Sequence, residues 1–499
     1  MRTAFQFSAA DREQLRRRGV SVAEAERQLD LLRDPPAAAA LTRACRLGDG
    51  ITVLADDERK ALADAWDRAT PELRVVKFVP ASGAATRMFA FAEMGDPEAQ
   101  HIDALVRGCD DLPFRTELDS LATIPWTELS RRPRELLRLI ADDTGLGLAS
   151  RPKGLIPFHR YDTGARTAFE EHLHEAAGYA RGQAGAVRLH FTVPVEHRKS
   201  FEAARSDSSR RAAEATGAHF EIEFSTQDAA TDTLGLTEDG SPLRSSSGEL
   251  VFRPAGHGAL LENLGQMNAD VIFIKNVDNV APAHRHATTA AWKKYLGGRL
   301  LDLRDRSFQL LNRLERDDPG APADALRFCA EDLALALPED LESRPVESLR
   351  PDLIGLLDRP IRVCGVVQNV GEPGGGPFWI SDPAGIQRGQ IVEGSQVNRG
   401  DPGQASIFDS ATHFNPVDLA CSVRNRNGEL YELARYADPS TSFVADKRRE
   451  GRPIRALERP GLWNGAMARW NTAFVEVPLA TFTPVKSLLD LLRPEHQPG

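Results

Sequence analysis

From Val75 onward, short strand-like runs, Val75 to Val79, Val187 to Val193, His219 to Phe224 and Val271 to Ile274, alternate with stretches of helical periodicity. That rhythm predicts an α/β domain on a mixed, largely parallel sheet, with functional groups outside the carboxyl ends of its strands. The first seventy residues read as helical. Ser21 to Glu24 forms a capping box, Leu29 and Leu32 repeat at helical spacing, Pro35-Pro36 stops the run, and Ala37 to Ala40 reads as helix. Thr167 to Glu170 is a second capping box, opening a helix expected to end near Gly182. A helical stretch from Leu300 to about Leu357, with Asp317 to Gly320 as a turn, is an insertion or spacer before further strands that begin at Ile361.

At 499 residues, with 41% hydrophobic and 27% charged side chains, the chain has room for two or three folding units and the composition of a globular protein. A net charge of −10 argues against non-specific nucleic-acid or anionic-membrane binding. No apolar run approaches the roughly 20 residues that span a bilayer, and Met1 to Gly19 lacks a signal-peptide core, so a cytoplasmic protein is expected. The five cysteines, Cys45, Cys109, Cys329, Cys364 and Cys421, are too scattered for a zinc or redox motif and read as buried free thiols. His172 and His174, two apart on a helix, point about 200° apart and cannot share a metal. Oligomeric state leaves no trace in the sequence.

Four short segments carry chemistry. Val75 to Val79 runs into Pro80-Ala81-Ser82-Gly83-Ala84-Ala85-Thr86-Arg87-Met88, small residues that let backbone N–H groups approach an anion at a helix start. It is neither a P-loop nor a G-x-G-x-x-G fingerprint, and an ordinary strand-turn-helix junction reads the same. Lys153, between Pro152 and Gly154, is either a fixed ammonium or a solvated turn lysine. Gly256-His257-Gly258 is either a close approach to a ligand or a tight loop whose histidine caps something. The strand Val271 to Ile274 delivers Asp278 to the sheet edge, as a hard ligand for Mg²⁺ or as a turn opener in Asp278-Asn279.

In this order the segments resemble the UTP:sugar-1-phosphate uridylyltransferases, the UDP-glucose and UDP-N-acetylglucosamine pyrophosphorylases. Their L-x-G-G-x-G-T-R loop, lysine motif P-K-G, G-H-G or G-N-G turn and V-D-N are matched by Ser82 to Met88, Pro152 to Gly154, Gly256 to Gly258 and Val277 to Asn279. Phe224 to Gln227 is similar to the family's glutamine-bearing strand end. Gln390 to Gln396 resembles the V-E-Y-S-E segment, His413-Phe414-Asn415 the asparagine motif, and Phe482 to Lys486 the F-x-P-V-K. The match covers roughly residues 71 to 490. As a whole the chain most resembles a bacterial family named domain of unknown function 4301, itself similar to these enzymes. One departure is plain: Ala81, Ser82, Ala84 and Ala85 stand where glycines and a variable residue are expected.

The resemblance implies a GT-A-like, Rossmann-like nucleotidyltransferase core over residues 71–490, with 361–490 as its sugar-side half, behind an N-terminal helical region 1–70 and before a tail 491–499. It implies a sugar-1-phosphate oxygen attacking the α-phosphorus of a nucleoside triphosphate, most simply UTP, with loss of pyrophosphate. Arg87, Lys153 and Lys486 would be catalytic and Asp278 would hold Mg²⁺. Ala81, Ser82, Gly83, Thr86, Gln227, Gly256, His257 and Gly258 would bind the nucleotide; Asn276, Glu393, Asn415 and Asn464 the sugar. Two rivals stay open: a non-catalytic nucleotide-sugar-binding or regulatory protein, favoured by the altered first loop, and a GT-A glycosyltransferase, disfavoured because no D-x-D motif is present.

Overall fold

The four early strand-like runs are strands in the computed structural model, which describes residues 5–83, 85, 88–89, 99–338, 344–372, 374–382, 384–449 and 452–498. The chain divides into two units, one of residues 56–226, 269–298 and 477–499 and the other of residues 1–55, 227–268 and 299–476.

In the first unit the strands run in the order Val271–Lys275, Val75–Pro80, Ala186–Thr192, His219–Ser225, each parallel to its neighbour. The helix Arg198–Thr216 makes the crossover between the last two, closed by Gly217 in the left-handed region at φ 64°. Every residue of Val271–Lys275 is buried, as expected of a strand covered on both faces. The helix Ala168–Ala177 opens on Thr167, whose hydroxyl accepts from the Glu170 N–H, and it stops at Gly178, several residues before the expected Gly182. The helix Asp56–Ala69 lies against Gly297 and Gly298. A Cβ on Gly297 would meet the Trp66 ring at 2.5 Å, so only glycine admits that approach.

The second unit carries the strands Arg46–Leu47, Gly50–Thr52, Asn471–Glu476 and Ile361–Gln368 in parallel, with His413–Ser422 antiparallel to Ile361–Gln368. Two antiparallel sheets accompany them: Leu41–Ala44, Gly375–Ser381, Gln387–Glu393, Leu335–Ala336, and Phe252–Arg253, Thr233–Leu236, Arg452–Glu458, Phe443–Arg449. The helices Ala9–Arg17 and Val22–Arg33 pack Leu15, Leu29 and Leu32 against Leu234, Leu236 and Leu457.

Two readings of the N-terminal segment are corrected. Three short strands lie between residues 41 and 52, where helix was expected, and Ala37 to Ala40 is irregular. There the Ala39 N–H donates to the Gln396 carbonyl, a long-range bond that outcompetes alanine's helical preference. The helix preceding the Asp317 turn also begins earlier than expected, at His286. All five cysteines are buried free thiols, as expected. No helix among the described residues is long and apolar enough to cross a membrane.

Candidate functional site

Strand Val271–Lys275 ends in the turn Asn276 to Asn279, closed by a hydrogen bond from Asn279 N–H to the Asn276 carbonyl at 3.1 Å. Three segments far apart in sequence meet at this turn. Lys153 Nζ lies 2.7 Å from Asp278 Oδ2, and Lys486 Nζ lies 3.1 Å from the same oxygen. Gly154 makes the first approach possible, since a Cβ there would meet Phe201 at 2.9 Å and Val277 at 3.1 Å. The second is built from backbone. Val485 N–H donates to the Asp278 carbonyl at 3.0 Å, Thr483 N–H to Asn279 Oδ1 at 3.0 Å, and the Lys486 N–H to Asp490 Oδ2 at 2.7 Å. Val485 is fully buried while the Lys486 side chain is 55% exposed, so its backbone is anchored and its ammonium faces solvent.

Burial alone would raise the Asp278 carboxyl, but the two ammoniums outweigh it and hold it below the ordinary aspartate value. Burial pulls Lys153 below the ordinary lysine value in spite of Asp278. The result is an ionised carboxylate at the sheet edge, flanked by one buried and one half-exposed cation. Both lysines meet Oδ2, and among the described residues no hydrogen bond reaches Asp278 Oδ1. Among the described residues no three His, Cys, Asp or Glu side chains form a metal cluster. A single open carboxylate nevertheless suits Mg²⁺, which is commonly held by one or two carboxylates plus substrate phosphates.

Ser82 and Gly83 are exposed just beyond Val75–Pro80, and the Gly83 carbonyl accepts from the Lys153 N–H at 3.4 Å; Ala81 is buried and its N–H donates to Thr192. Thr86 and Arg87 lie outside the described residues. Asn276 is half-buried in the same turn.

Beneath the turn is a group that motif reading passed over. Lys77 Nζ lies 2.9 Å from Glu175 Oε1 and Lys275 Nζ lies 2.7 Å from Glu175 Oε2, with all three side chains fully buried or nearly so. The flanking lysines outweigh burial and hold the Glu175 carboxyl well below its usual range, whereas burial drops the Lys77 ammonium to about 7. His172, one turn before Glu175, turns its Nε2 to the Val277 carbonyl at 3.2 Å and so braces the residue before Asp278. His172 is thus a core histidine bonded through Nε2 alone, its buried Nδ1 having no partner among the described residues. The available signal was a lysine inside one apolar strand, Val75–Pro80, and another at the end of a second, Val271–Lys275.

The remaining expected residues belong to the second unit. His257 stacks on Trp463 with ring centroids 4.0 Å apart, accepts from the Leu462 N–H at 2.9 Å, and has Nε2 3.7 Å from Glu393 Oε1. Asn464 is buried nearby with Oδ1 unpartnered, and a Cβ on Gly461 would touch both His257 and Asn464 Nδ2. His257, Glu393 and Asn464 are therefore brought together. Gly256 and Gly258 are required by the protein itself, Gly256 by its φ of 72°, with the Glu458 carboxylate close by, and Gly258 because a Cβ would meet the Pro460 carbonyl at 2.2 Å. Asn415 is buried and its Oδ1 accepts from the N–H of Val417, which sits at φ 60°, a strained value for a β-branched residue. Gln227 donates to Asp232 at 3.4 Å.

The mixed, largely parallel α/β fold is one shared with a UDP-sugar pyrophosphorylase of known structure. The chain is similar to the uridine diphosphate N-acetylglucosamine pyrophosphorylase of Trypanosoma brucei, solved with an inhibitor: TM-score 0.51, 13% identity, over 97% of this chain and 79% of that one. A variant of the UDP-glucose pyrophosphorylase of Leishmania major with UDP-glucose gives TM-score 0.46 and 14% identity, over 98% and 80%. A family model described as Domain of unknown function (DUF4301) matches residues 8–497, and the chain belongs to that family. No curated protein matches it.

Proposed function

We propose that the chain is a Mg²⁺-dependent nucleotidyltransferase that forms a nucleotide-sugar and pyrophosphate from a nucleoside triphosphate, UTP foremost, and a sugar 1-phosphate. The observation that carries this reading is the convergence of Lys153 and Lys486 on Asp278 at the carboxyl end of a parallel strand. An acceptor phosphate oxygen attacks the α-phosphorus in line, the bond to the bridging oxygen of pyrophosphate breaks, and no covalent enzyme intermediate is needed.

In this scheme Lys153 and Lys486 turn from Asp278 to the phosphate oxygens, on which negative charge accumulates as the leaving group departs. Asp278 would hold Mg²⁺ through its open oxygen, and the ion, when bound, supplies further neutralisation of phosphate charge. Arg87 is assigned to the same task. Ala81, Ser82, Gly83, Thr86, Gln227 and the Gly256 to Gly258 turn are assigned to the nucleotide. Asn276, Glu393, Asn415 and Asn464 are assigned to the sugar. The T. brucei relative's named activity supports the reaction class, and the reduced, buried thiols support a cytoplasmic setting.

The test is a matrix of four nucleoside triphosphates against sugar 1-phosphates, scored by pyrophosphate release with and without Mg²⁺. Release that needs both substrates and the metal supports the reading. Nucleotide-sugar binding without release from any pair would replace it with the binding-protein alternative.

A further inference from the structure

The second unit carries a half-open cavity of about 1010 Å³ between the segment Pro35 to Ala40 and the strands Gly375–Ser381, Gln387–Glu393, Phe443–Arg449 and Arg452–Glu458. Its lining includes none of the residues assigned above. Four arginines face it in a chain whose net charge is −10: Arg359, Arg388, Arg455 and Arg469.

Arg388 is only 6% exposed, its Nη1 has no hydrogen-bond partner, and its closest carboxylate contact is a 3.5 Å one, from Nη2 to Asp382 Oδ2. Arg359 donates to the carbonyls of Gly355 and Arg469, which carry no net charge. The guanidiniums of Arg455 and Arg469 make no ion pair among the described residues. Three carboxylates also line the cavity, Asp382, Asp438 and Asp446. Two of them are committed to their own turns: Asp382 Oδ1 accepts from the Ala384 and Ile386 N–H groups, and Asp438 Oδ1 from the N–H and hydroxyl of Ser440. Burial and then the repulsion of Arg388 bring Arg359 down to about 10.

We infer that this cavity binds an organic phosphate, its dianionic head on the arginines and its hydroxylated body beside Ser440 and Thr441. The buried guanidinium of Arg388 needs a partner, and the planar fork of arginine matches phosphate oxygens in pairs. A tetrahedral dianion serves several arginines at once, which a single carboxylate cannot. The volume exceeds that of phosphate alone, and Pro36, Ala38 and Phe443 give the body an apolar wall.

Isothermal titration calorimetry on the full chain at fixed ionic strength tests this, with a hexose 6-phosphate, inorganic phosphate and the unphosphorylated hexose as probes. The hexose phosphate is expected to bind and the free hexose not. Arg388→Gln and Arg469→Gln should each weaken it about tenfold or more, and Lys486→Ala should leave it unchanged. Arg469 is exposed, so its variant carries the test if Arg388→Gln fails to fold. The inference is overturned if the ester does not bind, if neither arginine variant weakens it, if Lys486→Ala abolishes it, or if inorganic phosphate binds equally well.

Discussion

The ammonium of Lys486 lies 3.1 Å from the Asp278 carboxylate across 208 residues of sequence, and the adjoining Val485 N–H is bonded to the Asp278 carbonyl. The contact is fixed through the backbone, so the lysine head can exchange its carboxylate partner for a phosphate without moving the chain. Its side chain is more than half exposed, so its pair with Asp278 contributes little to folding.

Lys486→Ala should therefore cut turnover roughly a hundredfold or more, with a smaller effect on nucleotide affinity, and lower stability by less than about 1 kcal/mol. Lys486→Arg should rescue only partly, because a planar guanidinium does not reproduce a compact ammonium. Steady-state kinetics and thermal melts of the two variants check this; wild-type turnover in the alanine variant would remove Lys486 from the site.

Lys153 is the opposite case, since its pair with Asp278 is buried. Lys153→Met leaves the carboxylate short of a partner and should cost about 3 kcal/mol, and Asp278→Asn a comparable amount. The double variant should lose less than the sum, because neither charge is then stranded. Denaturant unfolding of the set measures that coupling, and strict additivity would contradict it. The activity remaining in Asp278→Asn should no longer respond to Mg²⁺ titration after chelation, where the wild-type chain recovers.

Glu175→Gln should destabilise by about 3 kcal/mol or more, since two buried ammoniums lose the carboxylate with which both pair. Glu175→Gln with Lys77→Met should be milder than Glu175→Gln alone. Equal melting temperatures for wild type and the single variant would show that the trio contributes nothing.

His496 gives the pH dependence. Burial, then His159, Arg493 and Arg285, bring it down to about 3, and it shares a 2.9 Å hydrogen bond with His159. The unfolded chain protonates this residue near 6.5 while the folded chain does not, so the unfolded state holds more protons between those values. The contribution is fully present above pH 6.5 and falls as pH drops toward 3. Chemical denaturation across that range should show a shallower acid limb in His496→Gln, and an unchanged slope would rule His496 out.

The strand Val271–Lys275 was legible because a strand covered on both faces is a continuous apolar run, and Asp278 because it stands in the turn just beyond that strand. Lys153 and Lys486 were legible only through the order of motifs, since nothing local to either says that they share an oxygen. The strands Leu41–Ala44 and Gly50–Thr52 are too short to show a period, and they form on long-range pairing. Gly256 and Gly258 fit a ligand-approach pattern, yet the close approach they permit is to Glu458 and Pro460 of the same chain. Sequence marks where a glycine is needed but not what stands opposite it.

The most direct measurement is mass-spectrometric detection of a nucleotide-sugar after the purified chain is mixed with UTP, a panel of sugar 1-phosphates and Mg²⁺, beside a Lys153→Met, Lys486→Ala double variant. The expected result is a nucleoside-diphosphate sugar and an equal amount of pyrophosphate from wild type, with at least about a hundredfold less from the double variant. Product formed equally by both proteins, or by neither with any triphosphate, would contradict the assignment of Asp278 and its two lysines to phosphoryl chemistry.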